Sequence, residues 1–342
     1  MPTITHRARV SRALAVAFAG AALLVGTAIV HTQDAAPVVK TRQGAATGLV
    51  TGNVEQFLGL PYAAPPTGDL RWRAPQPPKP YAGGTLQATE FPAPCIQGNA
   101  RAGLPAPSED CLFLNLYRPA GGREGMKMPV LVYIHGGGWN GGTASARDGV
   151  PLAGGHDMVV VMINYRLSSI GFLGLPGLDA ESPDGASSGN YGLMDMVASL
   201  RWLQDNVAGF GGDRDNVTIA GTSVGGISVC SLLTAPLADR LFHKAIVESG
   251  ECTNTSAFIL SHQAALLQGA NLASEAGCAD PATFVACLRA KPAADVRAAA
   301  DGLGTFGVNV GGQLVPKAPI QAIAAGELAK VPVIVGATHD EQ

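Results

Sequence analysis

The sequence predicts an α/β chain: a mostly parallel central sheet flanked by helices on both faces, with an antiparallel region at its N-terminal side. Three observations predict it. Short aliphatic, β-branched runs at residues 130–135, 159–165, 217–221, 245–248 and 331–336 are bounded by turn residues and read as buried strands. Between the second and third runs, Leu193, Met196, Val197, Leu200, Leu203 and Val207 recur at helical spacing, which makes residues 192–207 an amphipathic helix. Strands separated by helices need crossover connections, and crossovers make neighbouring strands parallel and bury the sheet on both faces.

The remaining segments fit around that core. Residues 41–107 are rich in Pro and Gly, as an antiparallel opening sheet and long loops over a site require. Residues 264–325 are Ala-rich and helical, broken by a turn at 302–312, and read as helices on the cap side. Ahead of all this, Arg7, Arg9 and Arg12 precede an apolar run from Ala13 to Val30. Residues 1–36 therefore read as a signal peptide, with a retained signal anchor as the alternative, and residues 37–342 as the globular domain.

A hydrophobic content of 47% with 14% charged residues describes a globular chain rather than a disordered one. The net charge of −3 gives no basic field for nucleic acid, and no basic stripe interleaved with aromatics is present. No metal-ligand spacing and no cofactor fingerprint stands out, so neither is expected. Six cysteines in an exported chain suggest disulfides; six reduced, buried thiols would fit a cytosolic enzyme.

Chemistry enters at Gly221-Thr222-Ser223-Val224-Gly225. A strand precedes it and an apolar helical pattern follows, which is the context of a G-x-S-x-G nucleophile elbow. Upstream, the strand ending at Ile134 runs into His135-Gly136-Gly137-Gly138-Trp139. Three glycines leave backbone N–H groups exposed, as an oxyanion hole needs; a phosphate loop would need a following Gly-Lys-Ser/Thr, which is absent.

With these motifs the chain resembles the type-B carboxylesterase/lipase family, the cholinesterase-like α/β-hydrolases. The resemblance runs from about Val38 to the last residue. Also matching are Gln56-Phe57-Leu58-Gly59-Leu60-Pro61-Tyr62-Ala63, Leu70-Arg71-Trp72, Ser108-Glu109-Asp110-Cys111-Leu112-Phe113-Leu114-Asn115 and Asn164-Tyr165-Arg166-Leu167. Further on come Gly189-Asn190-Tyr191-Gly192-Leu193, Phe210-Gly211-Gly212-Asp213, Glu248-Ser249-Gly250 and the stretch from Gly336 to Glu341. It implies the α/β-hydrolase fold and a serine carboxylesterase that attacks small-molecule esters through an acyl-enzyme. By the same resemblance, Ser223 is the nucleophile and Glu341 the triad acid. Gly137, Gly138 and the N–H of Val224 form the oxyanion hole. It also implies the disulfides Cys95–Cys111 and Cys278–Cys287, leaving Cys230–Cys252.

In the family the triad histidine lies well downstream of the acid, and none of the seven histidines here has its context. His339 stands two residues from Glu341, a loop spacing that rarely lets both reach one serine. The resemblance therefore implies a C-terminally truncated domain with an open sheet edge, and a chain that performs the chemistry poorly or not at all. Loss of the base in such a triad costs about 10⁶ in turnover. The alternative is a catalytically inactive fragment or a cholinesterase-like binding module. Two departures bear on substrate choice. Thr222 replaces a common Glu, removing a charge beside the site, and the loop 95–111 lacks the aromatic platform a quaternary ammonium needs.

Overall fold

The aliphatic runs seen in the sequence become the middle of a twisted sheet. The computed structural model describes residues 36–98, 102–182, 184, 188–252 and 258–340; residues 1–35, within the segment read from the sequence as a signal peptide or anchor, lie outside the described residues. The strands, in chain order, are β1 (Val38–Thr41), β2 (Gly44–Thr47), β3 (Leu49–Thr51), β4 (Val54–Pro61), β5 (Thr85–Gln87), β6 (Phe113–Pro119) and β7 (Met128–Ile134). They continue with β8 (Val159–Ile163), β9 (Gly212–Thr222), β10 (Lys244–Glu248), β11 (Leu260–Ser261), β12 (Asn309–Val310) and β13 (Val333–Gly336). The main sheet has the order β13-β10-β9-β7-β8-β6-β4-β3. From β13 to β8 every pair is parallel, and β8, β6, β4 and β3 pair antiparallel. The fold is thus an α/β-hydrolase: a mostly parallel sheet flanked by helices, with antiparallel strands from the N-terminal side.

The helices are α1 (Val150–Gly155), α2 (Ser168–Phe172), α3 (Pro176–Asp179), α4 (Tyr191–Asn206) and α5 (Val224–Leu233). Beyond them come α6 (His262–Glu275), α7 (Phe284–Ala290), α8 (Ala293–Ala298) and α9 (Pro319–Ala324). Every residue of α5 is buried, because it packs on β7, β9 and β10 at once. The apolar stripe on α4 is core: Leu193, Met196, Leu200 and Leu203 are each at most 1% exposed. Among the described residues no helix is long and apolar enough to cross a membrane.

Two buried ion pairs tie distant segments to this core. Arg166 donates from its backbone N–H, Nε and Nη2 to Asp195 of α4, at 3.0, 2.8 and 2.7 Å. Burial works against the guanidinium charge, but the field and hydrogen bonds of Asp195 outweigh it and push the Arg166 pKa up. Arg71 grips both carboxylate oxygens of Glu109 at 2.6 Å and also donates to the Leu288 carbonyl in α7 and the Lys291 carbonyl just beyond it. Two matching sequence motifs, around Arg71 and Glu109, are thereby one contact.

One strand differs from its sequence reading. Residues 331–336 read as buried, yet Val333, Ile334 and Val335 are 39%, 65% and 67% exposed. The strand β13 pairs only with β10 among the described residues, so it is an edge, and apolar content alone does not distinguish an edge from the middle. The Ala-rich span also carries the two-residue strand β12, paired in parallel with β11.

Candidate active site

Strand β9 delivers Ser223 to the point where the chain reverses into α5. Ser223 has φ +58° and ψ −128°, a conformation that L side chains rarely adopt and that stores strain. The turn is possible because Gly225 has no side chain: a Cβ there would collide with the Ile134 carbonyl at the end of β7. The Ser223 N–H donates to the Glu248 carbonyl of β10 at 2.9 Å, so two neighbouring strands fix the turn.

The glycine loop after β7 closes over this serine. A Cβ on Gly136 would lie 2.6 Å from the Thr222 carbonyl and 3.2 Å from the Ser223 Cβ, so only glycine permits the approach. Gly137 and Gly138 have φ of +113° and +64°, and Trp139 follows at +55°. The Gly137 carbonyl accepts from Asn140 and Gly141, each at 3.1 Å. The N–H groups of Gly137 and Gly138 meet no acceptor among the described residues. Val224, the first residue of α5, sits where helix N–H groups have no intrahelical partner.

Buried neighbours hold the loop. Trp139 is fully buried, donates from Nε1 to the Ser228 Oγ at 3.1 Å, and packs on Phe172 and Phe258. The His135 ring stacks on Tyr165 at 4.4 Å, and the Tyr165 hydroxyl donates to the His135 carbonyl at 2.7 Å. The side-chain amide of Gln97 pairs with both backbone groups of Gly142, at 2.9 and 3.0 Å. Gln97 lies between the half-cystines of Cys95–Cys111, so that disulfide loop reaches the site. Disulfides also join Cys230 of α5 to Cys252 and Cys278 to Cys287.

A cavity of about 360 Å³ opens at the serine, lined by Ser223, Thr222, Gly136, Gly137, His135, Tyr133 and Arg147 among others. A larger groove of about 760 Å³, near Phe242, Lys317 and Ala322, holds none of the site residues. The structure thus brings Gly136 and Gly137 to Ser223, with Gly138 next in the loop and Val224 following the serine. Glu341 lies outside the described residues. His339 is 97% exposed and pairs with Asp340; His262 pairs with Asp179 and Asn309. Among the described residues no cluster able to hold a metal ion occurs.

A run of hydrogen bonds beside Ser223 has no counterpart in the sequence reading. Arg147 Nε donates to the Tyr133 hydroxyl at 3.0 Å, Tyr133 donates to Thr222 Oγ1 at 3.1 Å, and Thr222 donates to Glu248 Oε2 at 2.6 Å. The Arg147 guanidinium also sits 5.6 Å from the Tyr133 ring centroid. The sequence marks Thr222 as the loss of a carboxylate; Glu248, its cross-strand partner, brings one back. Parallel pairing of β9 with β10 was legible, but its register was not.

Comparison with known proteins places this arrangement. The model of the carboxylesterase family matches residues 35–342. A cocaine esterase of Oryctolagus cuniculus is 38% identical over 326 residues, covering 90% of this chain and 59% of its own length. A fumonisin B1 esterase of Sphingopyxis macrogoltabida is 38% identical over 348 residues, covering 98% of this chain and 62% of its own. Among solved structures, a PNB esterase superposes with a TM-score of 0.79 at 34% identity, covering 90% of this chain and 64% of that one. A carboxylesterase of Geobacillus stearothermophilus gives 0.79 at 37% identity, with 89% and 61% covered. The chain therefore spans less than two thirds of the length of each of these relatives.

Proposed function

Because the chain belongs to the carboxylesterase family, we propose that its site serves the hydrolysis of small-molecule carboxylic esters through an acyl-enzyme on Ser223. The observation that carries this reading is the strained Ser223 turn with the glycine loop closed against it. In the reaction the Ser223 Oγ bonds to the ester carbonyl carbon, and its proton passes by way of a base to the departing alcohol. Water then adds to the acyl carbon, the Ser223 ester breaks, and the acid leaves. The N–H groups of Gly137, Gly138 and Val224 receive the oxyanion; two of them being free of other acceptors supports the role.

Glu341 is the acid that orients the base. None of the five histidines among the described residues takes the base's role: His135 is stacked in the loop, His156 is exposed between α1 and β8, His243 accepts from the Val217 N–H, His262 is bonded on both nitrogens, and His339 is turned to solvent. The proton acceptor is accordingly assigned outside the described residues, and turnover by this chain alone is expected to be near background. The three disulfides support an oxidising, exported location.

Two measurements on the purified chain test the reading: hydrolysis of a short-chain nitrophenyl ester, and covalent capture by a fluorophosphonate, each beside Ser223→Ala. Slow capture that vanishes in the variant supports an encoded esterase site that lacks its base. Rapid hydrolysis dependent on Ser223 overturns the assignment of the base outside the described residues. Capture indifferent to Ser223 overturns the acyl-enzyme and leaves the binding-module reading.

A further inference from the structure

The cavity at Ser223 is lined on one side by Tyr133, Thr222 and the exposed Arg147, which brings a positive charge to it. Arg147 is the cation among the residues lining it, and no Asp or Glu lines it. The guanidinium is pre-positioned: its Nε is spent on the Tyr133 hydroxyl at 3.0 Å, and its plane lies by the Tyr133 ring. Its Nη1 and Nη2 have no partner among the described residues. Asp148, next in the chain, is turned away; its Oδ1 accepts from the Val150 N–H at 2.9 Å. Glu248 ends the hydrogen-bonded run through Tyr133 and Thr222, so it orders the hydroxyls without pairing with Arg147 directly.

We propose that Arg147 recognises a carboxylate on the substrate, so that the ester taken at Ser223 is a half-ester of a dicarboxylic or polycarboxylic acid or otherwise carries a free carboxylate. This rests on Ser223 being the nucleophile. The chemistry follows from the fork of a guanidinium. With Nε held, the two terminal nitrogens offer parallel N–H groups at the spacing of two carboxylate oxygens. Anchoring Nε beside the Tyr133 ring removes part of the side-chain freedom that an unanchored arginine loses on binding. The Tyr133–Thr222 link sets the guanidinium two hydrogen bonds from the residue that precedes Ser223. A carboxylate on Arg147 and an ester carbonyl at Ser223 then belong to one small molecule.

The test compares a charged and a neutral ester of matched length, mono-4-nitrophenyl glutarate and 4-nitrophenyl valerate. It uses the native chain, Arg147→Gln and Arg147→Lys, all checked for fold by thermal melting. The readout is nitrophenol release as each ester acylates Ser223, and the expected result is a ratio of acylation rates favouring the glutarate that falls about tenfold in Arg147→Gln and recovers in part in Arg147→Lys. An arginine with a merely structural role would move both esters together, and an unchanged ratio overturns the proposal. A binding measurement stands apart from turnover: calorimetry with glutaramate, whose amide resists hydrolysis. Arg147-dependent binding with no acylation of Ser223 by either ester keeps the carboxylate subsite and removes the acyl-enzyme reading. Absence of binding, or binding indifferent to Arg147, overturns the subsite whatever the esters do.

Discussion

The Thr222 hydroxyl lies 2.6 Å from the Glu248 carboxylate, and the same Glu248 accepts the Ser223 N–H on its backbone carbonyl at 2.9 Å. One residue of β10 therefore holds the turn of β9 by main chain and side chain together. Replacing Thr222 by Val keeps the strand but removes the acceptor of the Tyr133 hydroxyl and the donor to the Glu248 carboxylate. Fluorophosphonate capture at Ser223 is expected to slow several-fold. The unfolding free energy read from urea denaturation is expected to fall by about 1 kcal/mol or less, because Glu248 is exposed. Capture rate and urea denaturation read the two effects separately.

Strain at Ser223 makes a second prediction, with two substitutions that differ in their effect on stability. Glycine adopts a positive φ freely, so Ser223→Gly is expected to stabilise the fold by about 1 kcal/mol. Ser223→Ala keeps a Cβ in the strained conformation and is expected to leave stability close to native. Both remove the nucleophile. Chemical denaturation of the pair, side by side, decides it; equal midpoints would mean the turn carries little strain.

The pair Arg166–Asp195 is almost fully buried, at 1% and 0% side-chain exposure. Asp195→Asn keeps the shape and removes the charge, stranding a guanidinium in the core. A loss of about 3–5 kcal/mol is expected, seen as a lower unfolding midpoint or as failure to accumulate folded chain. Because Arg166 adjoins Tyr165, which holds the His135 carbonyl, capture at Ser223 is expected to weaken too.

His262 gives a pH dependence. Burial lowers its pKa, but hydrogen bonds to Asn309 and Asp179 and the fields of Asp179 and Asp184 outweigh burial, and the net shift is upward. A histidine whose folded pKa is raised contributes stability that is complete below its unfolded value of about 6.5 and fades as pH climbs through the folded value. Thermal midpoints are expected to fall as pH rises from about 6.5 through that range, and His262→Gln to flatten the slope. A native slope identical to that of the variant would assign the effect to another group.

Much of this was legible in the sequence because apolar periodicity reports burial. The strands around residues 130–135, 159–165 and 217–221 and the helix at 192–207 fell close to their observed places, since unbroken aliphatic runs mark strands covered on both faces and the helix meets the core at every third to fourth residue. The glycines at 136, 137 and 225 were legible because only glycine fits where two backbones touch. What escaped depends on neighbours far apart in the chain. The exposure of β13 follows from its place in the strand order, and the pairing of β11 with β12 is too short to carry a pattern. The run from Arg147 to Glu248 joins four segments by register, which composition does not encode.

The three disulfides share a property of order. Each joins a cysteine to the next one along the chain: 95 to 111, 230 to 252, and 278 to 287. A polypeptide that emerges N-terminus first into an oxidising compartment meets its cysteines in that sequence, and the first free thiol each one encounters is its native partner. Oxidation in order of appearance thus yields the native set among fifteen connectivities, with no need for the slow reshuffling that interleaved bridges demand. Refolding from the reduced, full-length chain loses that ordering, so material oxidised during synthesis is expected to be more uniform than material oxidised afterwards.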